Sequence, residues 1–288
     1  MNSEEILNRE NEECMLKIQY AARYYFNLAE KLLYFTWIAC IISGLSIFFS
    51  YDAPKWAVYG IPFSADILVM VFSYALNAKV QSAARLRNFF DAYVLDINYS
   101  RFQGHDIREI KEKAEKVYSR FSTSASIELA NTGHENPPGV RDWYTFNEPV
   151  SGIKSKYECL YQNTWWDKEL QPARLTALFI FSIVAVGIYA WFASRNGIFQ
   201  SVLCSAGLLG NIYGRFQENY KYTQISNKID GSMSTIESHL TEENVEVLFN
   251  LVGERRHINV LGIGRWHKHV ANKLSNLYDR ITEPTDGG

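Results

Sequence analysis

A chain of 288 residues with a formal net charge of -2 has no basic surplus, which excludes DNA and RNA as general partners. Its mean hydropathy of -0.18 would suit a soluble protein, but the 47% of hydrophobic residues is gathered into local runs, and local runs decide whether a chain enters a bilayer. The four cysteines, Cys14, Cys40, Cys159 and Cys204, show no CxxC pair and no metal spacing, so they read as reduced apolar residues and no cofactor is expected.

The acidic start, MNSEEILNRENEE, lacks the basic and short apolar regions of a cleavable signal. Residues 3–31 are expected to form one amphipathic helix running into the first apolar stretch, with Ile6, Leu7, Met15, Leu16, Ala22 and Phe26 on its apolar face. Apolar stretches follow at Leu32–Phe49 and Trp56–Leu76, separated by a short turn around Pro54. A second pair lies at Leu175–Phe192 and Ile198–Ile212. A helix crossing the hydrocarbon core needs about 20 mostly apolar residues. Three stretches meet or approach that length, the fourth is shorter, and the plan is two membrane hairpins.

Basic residues set the orientation. Arg9, Lys17, Arg23 and Lys31 precede the first stretch, and Lys79, Arg85 and Arg87 follow the second. Lys168 and Arg174 precede the third, and Arg215, Lys221 and Lys228 follow the fourth, while the hairpin turns carry only Lys55 and Arg195. The positive-inside bias places both termini and the central segment of a multi-pass membrane protein in the cytoplasm. The expected division is an N-terminal helix over 1–31, hairpins over 32–78 and 173–214, a central cytoplasmic helical domain over 79–172, and a C-terminal cytoplasmic segment and tail over 215–288. The fold class is all-α.

Between the hairpins, Leu86, Phe90, Tyr93 and Ile97 continue the second stretch at helical spacing. Asp106 to Glu109 reads as a capping box opening another helix, whose stripe is Ile107, Ile110, Ala114, Val117 and Phe121. Residues 131–140, with two glycines and two prolines, read as a loop, and 141–150 as an irregular aromatic stretch. A helix is expected from Ile153, with Pro172 marking a kink or a fresh start. Beyond the second hairpin, Ile225, Ile229, Met233, Ile236 and Leu240 recur like a short coiled-coil seam, and Thr241 opens a last helix.

Enzyme signatures are missing: there is no GxxxxGK[ST], GxSxG or HExxH, and Gly262 with Gly264 is an incomplete fragment. His267 and His269 lack a third ligand, so no metal and no catalysis are expected. The polar residues of the spans, Asp66, Asn77, Gln200 and Asn211, are the candidate pathway positions, since an ionisable group in a span is costly and marks function by default. Asp66 has two readings, deep in the bilayer if the helix starts at Trp56, or near the outer interface if Pro62 starts it. Ala206, Gly210 and Gly214 recur every four residues, a spacing that lets helices approach within one bundle or between copies of the chain. Arg141, Trp143, Tyr144, Lys154 and Lys156 form the candidate ligand set, because aromatic faces stack on bases and cations meet phosphates. Trp165 and Trp166 are better read as interface anchors.

Several motifs together resemble one known family. They are Arg9-Glu10-Asn11, Ala21-Ala22-Arg23, Phe90-Asp91, Arg141-Asp142-Trp143-Tyr144, and the run from Cys159 through Gln162, Asn163, Trp165 and Trp166 to Leu170. In this order and spacing, with the hairpin–domain–hairpin plan, the chain resembles the SMODS-associated four-transmembrane effectors of bacterial anti-phage signalling. The stretch after Arg255 departs from that family's ending. The resemblance implies a non-enzymatic effector that senses a cyclic oligonucleotide, assembles into a homo-oligomer and permeabilises the lipid bilayer. Two other readings remain open, a constitutive scaffold or regulator recruiting partners through its cytoplasmic helices, and a small-ion transporter using Asp66.

Overall fold

The computed structural model describes residues 1–46, 54, 56–193 and 198–260, with the side chains of 166–174, 188–189, 192–193, 198–200 and 203 outside that set. Gly262, Gly264, His267 and His269 lie outside the described residues. The described chain is helical, without strands. In order the helices are α1 (Ser3–Glu10), α2 (Glu13–Leu45), α3 (Ile61–Leu95), α4 (Gly104–Arg120), α5 (Ser122–Ala130), α6 (Ile153–Ala193), α7 (Ile198–Ser238) and α8 (Glu242–Arg256).

The expected single helix over 3–31 is broken. Asn2 caps α1 by accepting from the Glu5 amide at 2.8 Å, and the chain turns at Asn11 and Glu12 before α2 begins. The break lets Glu10 point inward, 1% exposed, where a continuous amphipathic helix would keep it in water. The capping box of α4 also sits one turn earlier than expected. Gln103 is the N-cap and Asp106 the third helical residue that reaches back to it. Pro172 does not interrupt α6, which runs through it. Thr241 caps α8 as expected, accepting from the Asn244 amide at 3.3 Å.

Two helical stretches, Glu13–Leu45 and Trp56–Leu95, are long and apolar enough to cross a membrane, and Leu175–Gly187 is a shorter apolar segment. Only 33% and 22% of the most apolar windows of the two long ones is buried, which separates them from the core helices of a soluble protein. Phe35, Ile38, Ile41, Ile42, Phe63 and Met70 instead face outward, 47% or more exposed. Apolar surface on this scale is what a membrane or a partner covers.

The remaining parts of α2, α3, α6 and α7 extend well past these regions. At 1.5 Å per residue, a helix of 41 residues such as α6 or α7 is about 60 Å long, twice the hydrocarbon thickness. Their polar halves gather with α1, α4, α5 and α8 around one core containing Ile6, Met15, Phe89, Phe90, Ile110, Leu160, Ile229 and Leu248. The polar halves of the long helices thus share a single hydrophobic interior. Ile229 and Ile236 are 1% exposed within it, with Ile225 and Met233 packed against it, so the stripe on α7 is covered by the chain itself. Leu240, past the end of α7, is 39% exposed.

Candidate functional site

Two polar clusters are built on the long helices, one inside the apolar region and one in the polar half. The first is a seam where α2, α3 and α7 meet. Pro62 is the second residue of α3, preceded without a break by a π turn over Trp56–Gly60, so both starting points envisaged for this helix belong to one helical run. One turn further, Asp66 accepts from Ser43 Oγ at 2.8 Å. Its carboxylate lies against the backbone of Gly207, where an added Cβ would come within 2.3 Å of Oδ1. Glycine at 207 is what lets α7 approach this closely.

The seam continues along the same three helices. Ser43 Oγ also reaches the Cys204 carbonyl at 3.4 Å, and Ser46 Oγ contacts Cys204 Sγ at 3.2 Å. Cys40 Sγ donates to the Gly207 carbonyl and receives from Asn211 Nδ2, both at 3.6 Å. Arg215 Nε donates to Asn211 Oδ1 at 3.5 Å, and its Nη1 to the Asn259 carbonyl at 3.2 Å. A line of polar groups therefore leads from Asp66 to the polar half of the molecule. Asp66 and Asn211 belong to it. Asn77 does not, being exposed and accepting from Gln81 at 3.5 Å, and the side chain of Gln200 lies outside the described residues.

The small-residue face, read from sequence as packing either within one bundle or between copies, is largely open within the chain. Ala206 and Gly210 are exposed, and an added Cβ at Gly210 or Gly214 would meet nothing within 4 Å. The close approach inside the chain uses Gly207, which flanks that face, about 100° round the helix from Ala206 but only about 20° from Gly214.

The second cluster is buried in the polar half and draws on six segments. Asp91 on α3, 0% exposed, pairs with Arg256 at the end of α8 at 2.5 Å. It also accepts from the Tyr144 hydroxyl at 2.8 Å and from Asn163 Nδ2 at 3.4 Å, while Asn163 donates to the Tyr144 hydroxyl at 3.0 Å. The Tyr144 amide donates to Glu10 Oε2 at 3.1 Å, and Arg255 reaches the Asn163 carbonyl at 3.2 Å. Arg87, one turn before Asp91, donates to Gln19 Oε1 and lies 3.7 Å below the ring of Trp143.

Burial sets the electrostatics here. Desolvation pushes the Glu10 carboxyl up to about 8, a shift that the Tyr144 amide partly opposes. A neutral acid at pH 7 fits its second oxygen, Oε1, which is buried without a hydrogen-bond partner among the described residues. Burial and the neighbouring Arg256 lower Arg87 to about 10, which leaves it charged. Arg256 pairs with Asp91 directly and Arg87 feels its charge, and Tyr144 is held far above the usual tyrosine range by burial and by Asp91.

The five residues expected to hold a ligand are not brought together. Tyr144 is 1% exposed and stacked on Phe90 with ring centroids 6.4 Å apart, so its face belongs to the core and cannot take a base in this arrangement. Trp143, 39% exposed, covers Arg87. Arg141 donates to the Leu129 carbonyl at 3.5 Å, Lys156 to the Asp96 carbonyl at 3.1 Å, and Lys154 is exposed on the first turn of α6.

Sequence reasoning missed Glu10, Arg87, Asp91, Asn163 and Arg256 as site residues. Glu10, Asp91 and Asn163 stood within the motifs that carried the family resemblance. The structure explains why those motifs read together: Glu10, Asp91, Tyr144 and Asn163 touch one another, Asn11 bonds Asp142 at 2.8 Å, and Gln162 pairs with Thr145. Arg87 and Arg256 gave no signal in sequence. His105, Asp106 and Glu109 have ligand atoms within 4.8 Å of one another, yet Arg85 already holds both carboxylates at 2.6 and 2.9 Å, so a metal there would have to displace it.

No curated protein and no solved structure gives a match to this chain. One family does match, over residues 4–205, a stretch that contains the first hairpin, most of the buried network and the start of α7. By that match the chain belongs to the SMODS-associating 4TM effector domain family, whose description fits the apolar helices and suggests a membrane effector of cyclic-oligonucleotide anti-phage signalling.

Proposed function

We propose that the protein is a four-span inner-membrane effector, both termini cytoplasmic, that a cyclic oligonucleotide switches from a closed to a membrane-permeabilising oligomer. In this reading 32–78 and 173–214 are the two hairpins, and 1–31, 79–172 and 215–288 form the cytoplasmic part. No covalent chemistry is required of it. A ligand acts only through its different affinity for the two arrangements.

The observation that carries this reading is the continuity of α3. One uninterrupted helix, Ile61–Leu95, bears Asp66 in the apolar seam and Asp91 in the buried cytoplasmic network. A rotation or tilt that rearranges the partners of Asp91 moves Asp66 as well, because a helix is far stiffer than the contacts around it. The α7 helix offers a parallel link, with Gly207 in the seam and Ile229 in the cytoplasmic core. The open Ala206–Gly210–Gly214 face supports assembly, since small residues let a second copy approach where no element of the chain does.

The test is dye release from liposomes containing the purified protein, across a panel of cyclic di- and trinucleotides. Release with one member of the panel and none without it is the expected result. Vesicles that stay intact with every member, from protein shown to be folded, would refute the reading.

The polar line from Asp66 through Asn211 to Arg215 favours one alternative, conduction of small ions by a single copy. Asp66→Asn then abolishes ion flux without nucleotide, whereas the effector reading requires nucleotide for any flux.

A further inference from the structure

A cleft between α2 and α5, lined by none of the five residues discussed above, has the chemistry of a nucleotide site. Its volume is about 320 Å³, at the lower end of small-molecule sites and too small for a whole cyclic oligonucleotide. Arg23, Tyr24, Asn27 and Lys31 line it from α2, and Phe121 and Glu128 from the other wall. Tyr24, Asn27 and Lys31 follow at helical steps of three and four, so they share one face of α2. Tyr24 and Phe121 are in ring contact at 5.1 Å and present aromatic surface, while Lys31, exposed at the last position before the apolar stretch, supplies a cation.

The floor of the cleft is wired to the buried network. Glu128 accepts from Arg23 at 3.2 Å through its side chain, and its backbone carbonyl accepts from the Val140 amide at 2.9 Å. Arg23 donates in addition to the carbonyls of Pro138 and Gly139, at 2.6 and 2.5 Å. Gly139 passes so close to α5 that an added Cβ would overlap the Asn131 carbonyl at 1.7 Å. Three residues further on, Asp142 bonds Asn11, and Tyr144 bonds Asp91 and Glu10. Arg23 and the Glu128 carbonyl thus join the cleft to the segment that leads into the Asp91 cluster.

We propose that this cleft takes one nucleotide unit of the activating ligand, with the base on Tyr24 and Phe121, its exocyclic amine on Glu128 and its phosphate on Lys31 and Asn27. The release of residues 138–143 that follows is the signal passed to α3. A carboxylate accepts from the amine edge of a base, and each aromatic platform contributes binding that is tolerant of base identity. The assignment rests on the effector reading above and adds to it the place of binding and the route out.

Calorimetric titration of the full chain in nanodiscs with cyclic di- and trinucleotides tests it. For the nucleotide that binds, Lys31→Gln and Phe121→Leu are each expected to weaken binding about tenfold, the loss typical of one stacking platform or one phosphate contact, and Lys154→Gln to leave it within about twofold. Lys31 is exposed, so its variant keeps the test decisive if Phe121→Leu folds poorly. Hydrogen exchange at the amides of Gly139, Val140 and Arg141 is expected to quicken on binding. Nucleotide binding that both variants leave unchanged overturns this assignment while the effector reading survives. Lack of binding to any nucleotide of the panel by the native chain overturns both. Protection of Lys31 from amine acylation by phosphatidylglycerol in the nanodisc, and not by nucleotide, reassigns the cleft to a lipid headgroup and also overturns the proposal.

Discussion

Arg256 lies 2.5 Å from Asp91, tying the last described helix to the polar half of α3 through an ion pair in which Asp91 is completely buried. Around it the end of α8 grips α3 a second and third time. Arg256 also donates to Asn88 Oδ1 at 3.2 Å, and Gln81 donates to the His257 carbonyl at 2.9 Å. The end of α8 is therefore held against α3 within about four turns of the apolar region.

Asp91→Asn is expected to destabilise the polar half by about 3–5 kcal/mol, the usual consequence of removing one member of a buried pair and stranding the other charge. The double variant Asp91→Asn with Arg256→Gln recovers a good part of that loss. Thermal unfolding in detergent, followed by circular dichroism, measures both. A double variant as unstable as the single one would show that the pair is not the relevant contact.

Tyr144→Phe keeps the ring stacked on Phe90 and removes the hydroxyl shared by Asp91 and Asn163. A cost of about 1–3 kcal/mol is expected, since a buried acceptor and a buried donor lose their partner. Nucleotide affinity of the folded fraction should not change, because the lost hydroxyl is taken up by Asp91 and Asn163 inside the core. Unfolding midpoints together with titration separate the two effects.

Glu10 gives the network a pH dependence of known sign. Its ordinary value of 4.5 rises to about 8 on folding, so the folded state holds the extra proton between these limits. Stability from this group is complete below about 4.5, declines as pH rises and is fully lost above about 8. Melting temperature should fall between pH 5 and 8.5 in the native chain, and Glu10→Gln should flatten that slope by about 5 °C or more. An identical slope in the variant would remove Glu10 as its source.

Gly207→Ala is expected to part α7 from α3, because the new methyl group would sit 2.3 Å from Asp66 Oδ1, a side chain already fixed by Ser43. The seam can be read directly by oxidation. Ser46→Cys faces Cys204, as the present 3.2 Å contact of the serine indicates, and should cross-link readily. Adding Gly207→Ala should reduce the cross-linked fraction at least about twofold, and an unchanged yield would show that the seam absorbs the methyl without moving.

The apolar stretches, the irregular aromatic segment, the helix starting at Ile153 and the Thr241 cap were legible because each depends on residues close together in the chain. The break after α1 was not. It is decided by the pull of a buried network on Glu10, against a local pattern that favours one helix. Likewise the spacing of Ala206, Gly210 and Gly214 correctly marks a face of small residues, but which neighbour α7 meets, and on which side, depends on how it is rotated in the bundle.

By itself, then, the sequence determined the class of the protein, its helical content and the family to which its motifs belong, since composition and short-range periodicity suffice for these. The tertiary structure alone decided that those motifs are one physical object. Glu10, Asp91, Tyr144 and Asn163 come from four segments up to 153 positions apart, and only a shared buried interior, where each polar group must find a partner, brings them within hydrogen-bonding distance.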